Sequence, residues 1–125
     1  MNNTAGKPTS LQQRGALTEQ LALDHLLAAG LRLLARNVRY KVGELDLVLA
    51  DRGTLVFVEV RSRASRAWGG AAASIHATKR RRLVHAAQLY LQQHYGNRWP
   101  PCRFDVVLFE GDAAPEWLRN AFTPE

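Results

Sequence analysis

The sequence predicts an α/β chain of the α+β type, with a mixed sheet flanked by helices. Three observations point there. Residues 43 to 63, GELDLVLADRGTLVFVEVRSR, read as two apolar strands joined at the turn-forming Asp51, Arg52 and Gly53. Two longer segments, at residues 10 to 30 and 75 to 95, space their apolar residues as helices do. The resulting order is helix, strand, strand, strand, helix, strand. That order is not a regular βαβ alternation, so the sheet is expected to be mixed.

Residues 1 to 9 read as a flexible lead-in and residues 10 to 125 as a single domain. The first helix is expected from Ser10, which has Gln13 at capping-box spacing, to the natural stop at Gly30. Ala16, Ala22, Leu23 and Leu26 form its apolar stripe, and Glu19 lies inside that stripe. Residues 31 to 41, LRLLARNVRYK, are a first strand or an irregular edge. Strands follow at 44 to 50 and 54 to 62, then a loop containing Trp68, Gly69 and Gly70. Leu83, Ala86, Ala87, Tyr90 and Leu91 give the second helix its apolar face. The connector NRWPPC breaks regular structure with two prolines. A last strand is expected at 103 to 109, with Trp117 and Phe122 docking the tail back on the body.

At 125 residues, 46% hydrophobic and 22% charged, the chain suits a soluble globular protein with one core. No apolar run approaches the ~18 residues of a membrane span, so no membrane role is expected. MNNTAGKPTS lacks an apolar signal region. The one cysteine, Cys102, excludes an internal disulfide and a cysteine-based metal cluster, so a cytoplasmic location is expected. Cys102 itself reads as a small core hydrophobe. His25, His76, His85 and His94 lack metal-ligand spacing, and no P-loop, dinucleotide fingerprint or nucleophile elbow is present.

Charge is one-sided. The chain carries 17 basic and 11 acidic residues, a balance of +6, and no acid occurs from Val60 to Phe104. That segment holds Arg61, Arg63, Arg66, Lys79, Arg80, Arg81, Arg82, Arg98 and Arg103. The functional reading is a nucleic-acid partner, because neutralising phosphates releases counterions. The bland reading is a solvated basic face. Lys79 to Arg82 stand at a helix start, where cations oppose the helix dipole, so a partner anion helps explain them. Trp68 either stacks on an unpaired base or anchors its loop.

Against this stand the acids. Strict alternation puts Glu44, Asp46 and Val48 on one face of their strand and Leu45, Leu47 and Leu49 on the other. It puts Leu55, Phe57, Glu59, Arg61 and Arg63 together on the next strand. Folded about Asp51 to Gly53, the hairpin brings Asp46 and Glu59 to similar depth. Converging carboxylates repel unless a cation lies between them. Mg²⁺ suits such a pair, since it takes few carboxylates and completes its shell with water and phosphate oxygens. The alternative is ordinary cross-strand pairing of Glu44 or Asp46 with Arg39, Lys41 or Arg61.

On these residues the chain resembles the YraN-type family of small bacterial proteins. The resemblance extends to Gly15, Glu19 and Asn37, then through Lys79 to Arg82, Ala86-Ala87, Tyr90-Leu91 and Arg103-Phe104-Asp105, over residues 11 to 122. That family resembles the PD-(D/E)xK nucleases, in the style of Holliday-junction resolvases. The resemblance implies a restriction-endonuclease-like αβββαβ core, a Mg²⁺ or Mn²⁺ cofactor, a DNA substrate that is branched or otherwise non-B-form, and a homodimer. By position, Asp46 and Glu59 match the metal-binding acids, Val60 a backbone-carbonyl ligand, and Glu19 the assisting acid of the first helix. Glu44 is a second-line ligand. Residue 61 departs from the pattern: lysine is expected and Arg61 stands there. Arginine stays charged and cannot act as a base, yet it clamps a phosphate in two-pronged fashion. Three outcomes stay open. Arg61 holds the scissile phosphate, Lys79 supplies the missing ammonium, or cleavage is lost and a non-catalytic nucleic-acid-binding module remains. Arg63, Arg66 and Lys79 to Arg82 are the expected backbone grip, and Asp105 reads as structural, paired with Arg103 or Lys79.

Overall fold

Seven elements follow one another in the computed structural model: α1 (Ser10–Ala28), β1 (Arg32–Tyr40), β2 (Gly43–Asp51), β3 (Thr54–Arg63), α2 (Ala77–Tyr95), β4 (Cys102–Glu110) and β5 (Glu116–Phe122). The structure describes residues 10–63 and 75–124, with side chains from residue 15 onward. The side chains of the Ser10–Gln13 capping pair, together with Arg66, Trp68 and the 1–9 lead-in, lie outside what is described.

The strands form one sheet in the order β1-β2-β3-β4-β5. Every neighbouring pair is antiparallel except β3 and β4, which run parallel with α2 as the crossover. The fold is therefore α+β, a mixed sheet flanked by helices. The expected αβββαβ order is present, extended by a fifth strand. Local chemistry explains the joints. Arg52 and Gly53 adopt φ of 51° and 89°, as a two-residue hairpin turn whose twist matches its strands requires. After α1 the amides of Leu31 and Gly30 return to the carbonyls of Leu26 and Leu27, and Gly30 takes φ of 101°.

Each sheet face carries its own core. On the α2 side lie Leu45, Val48, Phe57, Leu83, Ala86, Phe104 and Val106. On the α1 side lie Ala22, Leu23, Leu26, Leu47, Val56, Val58 and Val107. Of the expected α1 stripe, Ala16 is exposed and the other three residues are buried. β1 is a true strand, largely exposed along the sheet edge.

β5 was expected only as a docked tail. Its burial does not alternate cleanly, because its pairing to β4 shifts between Phe104 and Val106. Asp105 occupies that irregularity. Its fully buried carboxylate accepts from the Asn120 amide at 2.9 Å, Trp117 Nε1 at 3.0 Å and Arg103 Nε at 3.0 Å. Arg103 reaches on to Asp51 at 2.9 Å. Asp105 is thus paired with Arg103 and staples β5 to β4. Cys102, expected in the core, is exposed at the start of β4 just after the two prolines. Among the described residues no helix is long and apolar enough to cross a membrane.

Candidate functional site

The ladder between β2 and β3 runs from Asp51 opposite Thr54 to Leu47 opposite Val58 and stops there. Asp46 comes next. Its side chain turns toward β3, and Oδ2 accepts the Val60 amide proton at 2.9 Å. The carboxylate satisfies a donor for which no β2 carbonyl is supplied.

A fault in the pleat makes this possible. Leu45 packs in the α2-side core, whereas Leu47 and Leu49 pack in the α1-side core. Gly43 shares the Leu45 side: a Cβ there would lie 2.5 Å from the Arg82 carbonyl oxygen of α2. The alternation therefore reverses at Asp46. β1 reverses at the same level. Arg36 reaches Glu19 on α1, while Ala35 and Val38 pack toward the α2-side core. Between them Asn37 sits at φ of 54°, a left-handed conformation that rotates the strand. The expected common face for Glu44, Asp46 and Val48 is corrected accordingly. Glu44, exposed and opposite Arg39, lies across the sheet from Val48 and is not among the groups acting on Glu19 or Glu59.

Glu59 faces α2 with 4% of its surface exposed. Lys79 Nζ stands 3.3 Å from its Oε2 and Arg61 3.7 Å. Burial raises the Glu59 pKa to about 8; the charge of Asp46 and a hydrogen bond to it add to the rise, and Lys79 opposes it. The carboxyl of Glu59 therefore gives up its proton less readily than an exposed glutamate does. Glu19 approaches Asp46 from α1. Its pKa is also raised, by burial first and then by Asp46, while hydrogen bonds from Asn37 and Arg36 lower it. Asp46 thus stands between an acid from β3 and an acid from α1.

Asn37 and Arg36 belong to this site. The resemblance had included Asn37 without a role, and Arg36 was not singled out. The available signal was an asparagine, a residue tolerant of left-handed backbone, inside an apolar and basic strand.

The basic residues divide. Lys79 turns inward to Glu59. Arg80, Arg81 and Arg82 are exposed on the first turns of α2, whose start His76 caps by accepting the Lys79 amide at 3.4 Å. Arg63 is held by Glu110 at 2.8 Å with 17% of its side chain exposed, so its charge is largely spent inside the fold.

Whether a divalent cation suits these residues can be judged from the donors. Among the described residues no group of three or more His, Cys, Asp or Glu side chains is arranged to hold a metal. The geometry offers a pair, Asp46 and Glu59, close enough to hydrogen-bond, whose mutual repulsion a cation would relieve. Val60 directs its amide at Asp46, and the carbonyl of a strand residue leaves on the same edge as its amide. Two carboxylates and one carbonyl suit Mg²⁺ or Mn²⁺, which leave the rest of their shell to water and phosphate oxygens.

Comparison with known proteins gives a consistent family. The model of a family described as "Uncharacterised protein family UPF0102" matches residues 18–109. A UPF0102 protein of Paracidovorax citrulli is 58% identical over 125 residues, covering 94% of this chain and 88% of that protein. One from Pseudomonas fluorescens is 53% identical over 119 residues, covering 90% and 95%. One from Xanthomonas campestris pv. campestris is 52% identical over 116 residues, covering 92% and 95%. The matched span runs from the start of the Glu19 turn through β4, so it contains every carboxylate of the site, and the chain belongs to the uncharacterised protein family UPF0102.

Proposed function

We propose that this protein is a cytoplasmic, Mg²⁺- or Mn²⁺-dependent endonuclease that cleaves DNA phosphodiesters, preferring branched or otherwise non-B-form DNA. On this reading the αβββαβ order is a restriction-endonuclease-like core of PD-(D/E)xK type. The observation that carries it is the Asp46–Glu59 pair where β2 and β3 part, Glu59 buried and Asp46 half-buried, flanked by Lys79 at 3.3 Å.

A bound divalent cation would polarise the scissile phosphate and make water a better nucleophile. The chain's own residues do the rest. Asp46 and Glu59, with the Val60 carbonyl, hold the cation. Arg61 lies on the Glu59 face with its side chain 36% exposed, where a guanidinium can grip a phosphate and offset charge developing on its oxygens. Lys79 supplies from α2 the ammonium that position 61 lacks, and orients water by donating hydrogen bonds. Glu19 completes the acidic rim. Arg80, Arg81 and Arg82 hold the strand's phosphates.

A second reading has its own observation. Lys79 and Arg61 both stand beside Glu59, so positive charge already occupies this side of the pair without a cation. A nucleic-acid-binding module that does not cut is built in the same way. The two readings separate in one assay, run on linear, single-stranded, flapped and four-way-junction DNA with EDTA, Mg²⁺ or Mn²⁺. The endonuclease reading expects cutting that requires metal and is lost in Glu59→Gln and Asp46→Asn. Tight binding without cutting under every metal leaves the binding module.

A further inference from the structure

The outer flank of α2 carries a feature that the carboxylate site does not use. An open groove of about 720 Å³ runs between α2 and the end of β5. Arg80, Arg81, His85 and Gln88 line one wall, and Thr123 with Pro124 the other. Val84 and Phe122, both partly buried against the α2-side core, supply apolar surface. No carboxylate is among the described residues that line it.

The chemistry of that lining is selective. Two guanidiniums, with no acid among the described lining residues, favour a phosphate or phosphodiester. Phosphate alone gives no reason for a volume in the range of ligand pockets, nor for an apolar floor. A duplex backbone, being wide and polar, contacts exposed arginines without entering such a groove. An unpaired nucleotide meets both requirements, with its phosphate on the guanidiniums and its base on Val84 and Phe122. His85 and Gln88 are placed on the same wall to hydrogen-bond base edges. Phe122 already stacks on Phe104, centroids 4.8 Å apart, which fixes its ring for this purpose. Arg80 in the groove follows Lys79 in sequence, so the groove and the Glu59 contact share the first turns of α2.

We propose that this groove binds an unpaired nucleotide of a DNA single strand, recognised by phosphate and base together. The inference rests on the reading of the protein as acting on nucleic acid, yet it is independent of cleavage.

The test uses the full chain in EDTA, so that cutting plays no part. Fluorescence anisotropy is measured for a labelled short oligothymidylate, an abasic phosphodiester of equal length, and a blunt duplex. The oligothymidylate is expected to bind at least about tenfold more tightly than the abasic chain. Val84→Ser is expected to erase that difference, and Arg80→Ala with Arg81→Ala to weaken both single strands about tenfold or more. Unchanged melting temperatures show that each variant is folded; if Val84→Ser unfolds, Gln88→Glu, at an exposed position, tests the same wall by repelling phosphate. Equal binding of thymidylate and abasic chains overturns the proposal, as does tighter binding of the duplex or indifference to the arginine pair. Base-dependent binding without any metal-dependent cutting keeps the groove and removes the endonuclease. Cutting without base-dependent binding does the reverse.

Discussion

Glu59 lies 4% exposed between Asp46 and Lys79, and its pKa of about 8 compares with an ordinary 4.5. The native state therefore keeps a proton that the unfolded chain has lost between those two values. Stability falls as pH rises through that window and levels off above it. Glu59→Gln retains the neutral shape without the titration. In EDTA its stability relative to the parent is expected to be near zero at pH 4.5 and to grow to a few kcal/mol above about pH 8. Urea melts across that range check it, and a difference that ignores pH would show that Glu59 is an ordinary ionised carboxylate. Lys79 matters at the same scale. Its ammonium is the chief group that opposes the rise, and it comes from a helix that no strand-by-strand pattern connects to Glu59.

At the scale of elements, the site depends on the reversed pleat of β1 and β2. Asn37 holds φ of 54° opposite Asp46 and also hydrogen-bonds Glu19, so its backbone and side chain can be tested apart. Asn37→Ala is expected to cost about 1–2 kcal/mol, because alanine resists a left-handed conformation. Asn37→Gly keeps the backbone free to turn but removes the amide, so the Glu19 pKa should rise further in an NMR titration. A Glu19 that titrates unchanged in Asn37→Gly would remove the side chain from the site. α2 is set by a second close approach. A Cβ on Gly43 would meet the Arg82 carbonyl at 2.5 Å, and backbone cannot step aside as a flexible side chain can. Gly43→Ala is expected to destabilise by about 1–3 kcal/mol and to weaken the Lys79–Glu59 contact. Thermal melts with the Glu59 titration measure both.

Across the whole molecule, the charge of +6 is less available than its sum suggests. Arg63 answers Glu110, and Arg103 answers Asp51 and Asp105. Arg80, Arg81 and Arg82 of α2 are exposed side by side and face outward. For DNA binding, log affinity should fall linearly with log salt, and Arg80→Ala should lower that slope by about 1. Arg63→Ala should leave the slope alone while lowering stability, because it takes a guanidinium at 2.8 Å away from the buried Glu110. Equal effects of the two substitutions on the slope would mean that charge acts only through its total.

The elements were largely legible in the chain. Asp51-Arg52-Gly53 specifies a hairpin locally, Gly30 ends a helix locally, and apolar spacing reports which residues a helix buries. Asp46 and Glu59 stood out because carboxylates in apolar strands need a partner. What the chain by itself did not disclose is set by contacts distant in sequence. Alternation predicts a flat, regular pleat, and nothing local to Asp46 announces that Asn37, on the neighbouring strand, turns both strands together. The fifth strand was hidden because its register depends on Asp105, eleven residues before it begins to pair at Glu116. Cys102 reads as apolar by type and is exposed by position. Lys79 and Glu59 are joined only when α2 crosses the sheet. Sequence thus determined which segments fold as which element; the packing of those elements decided which charges meet, because electrostatic and hydrogen-bonding partners are chosen by distance in space.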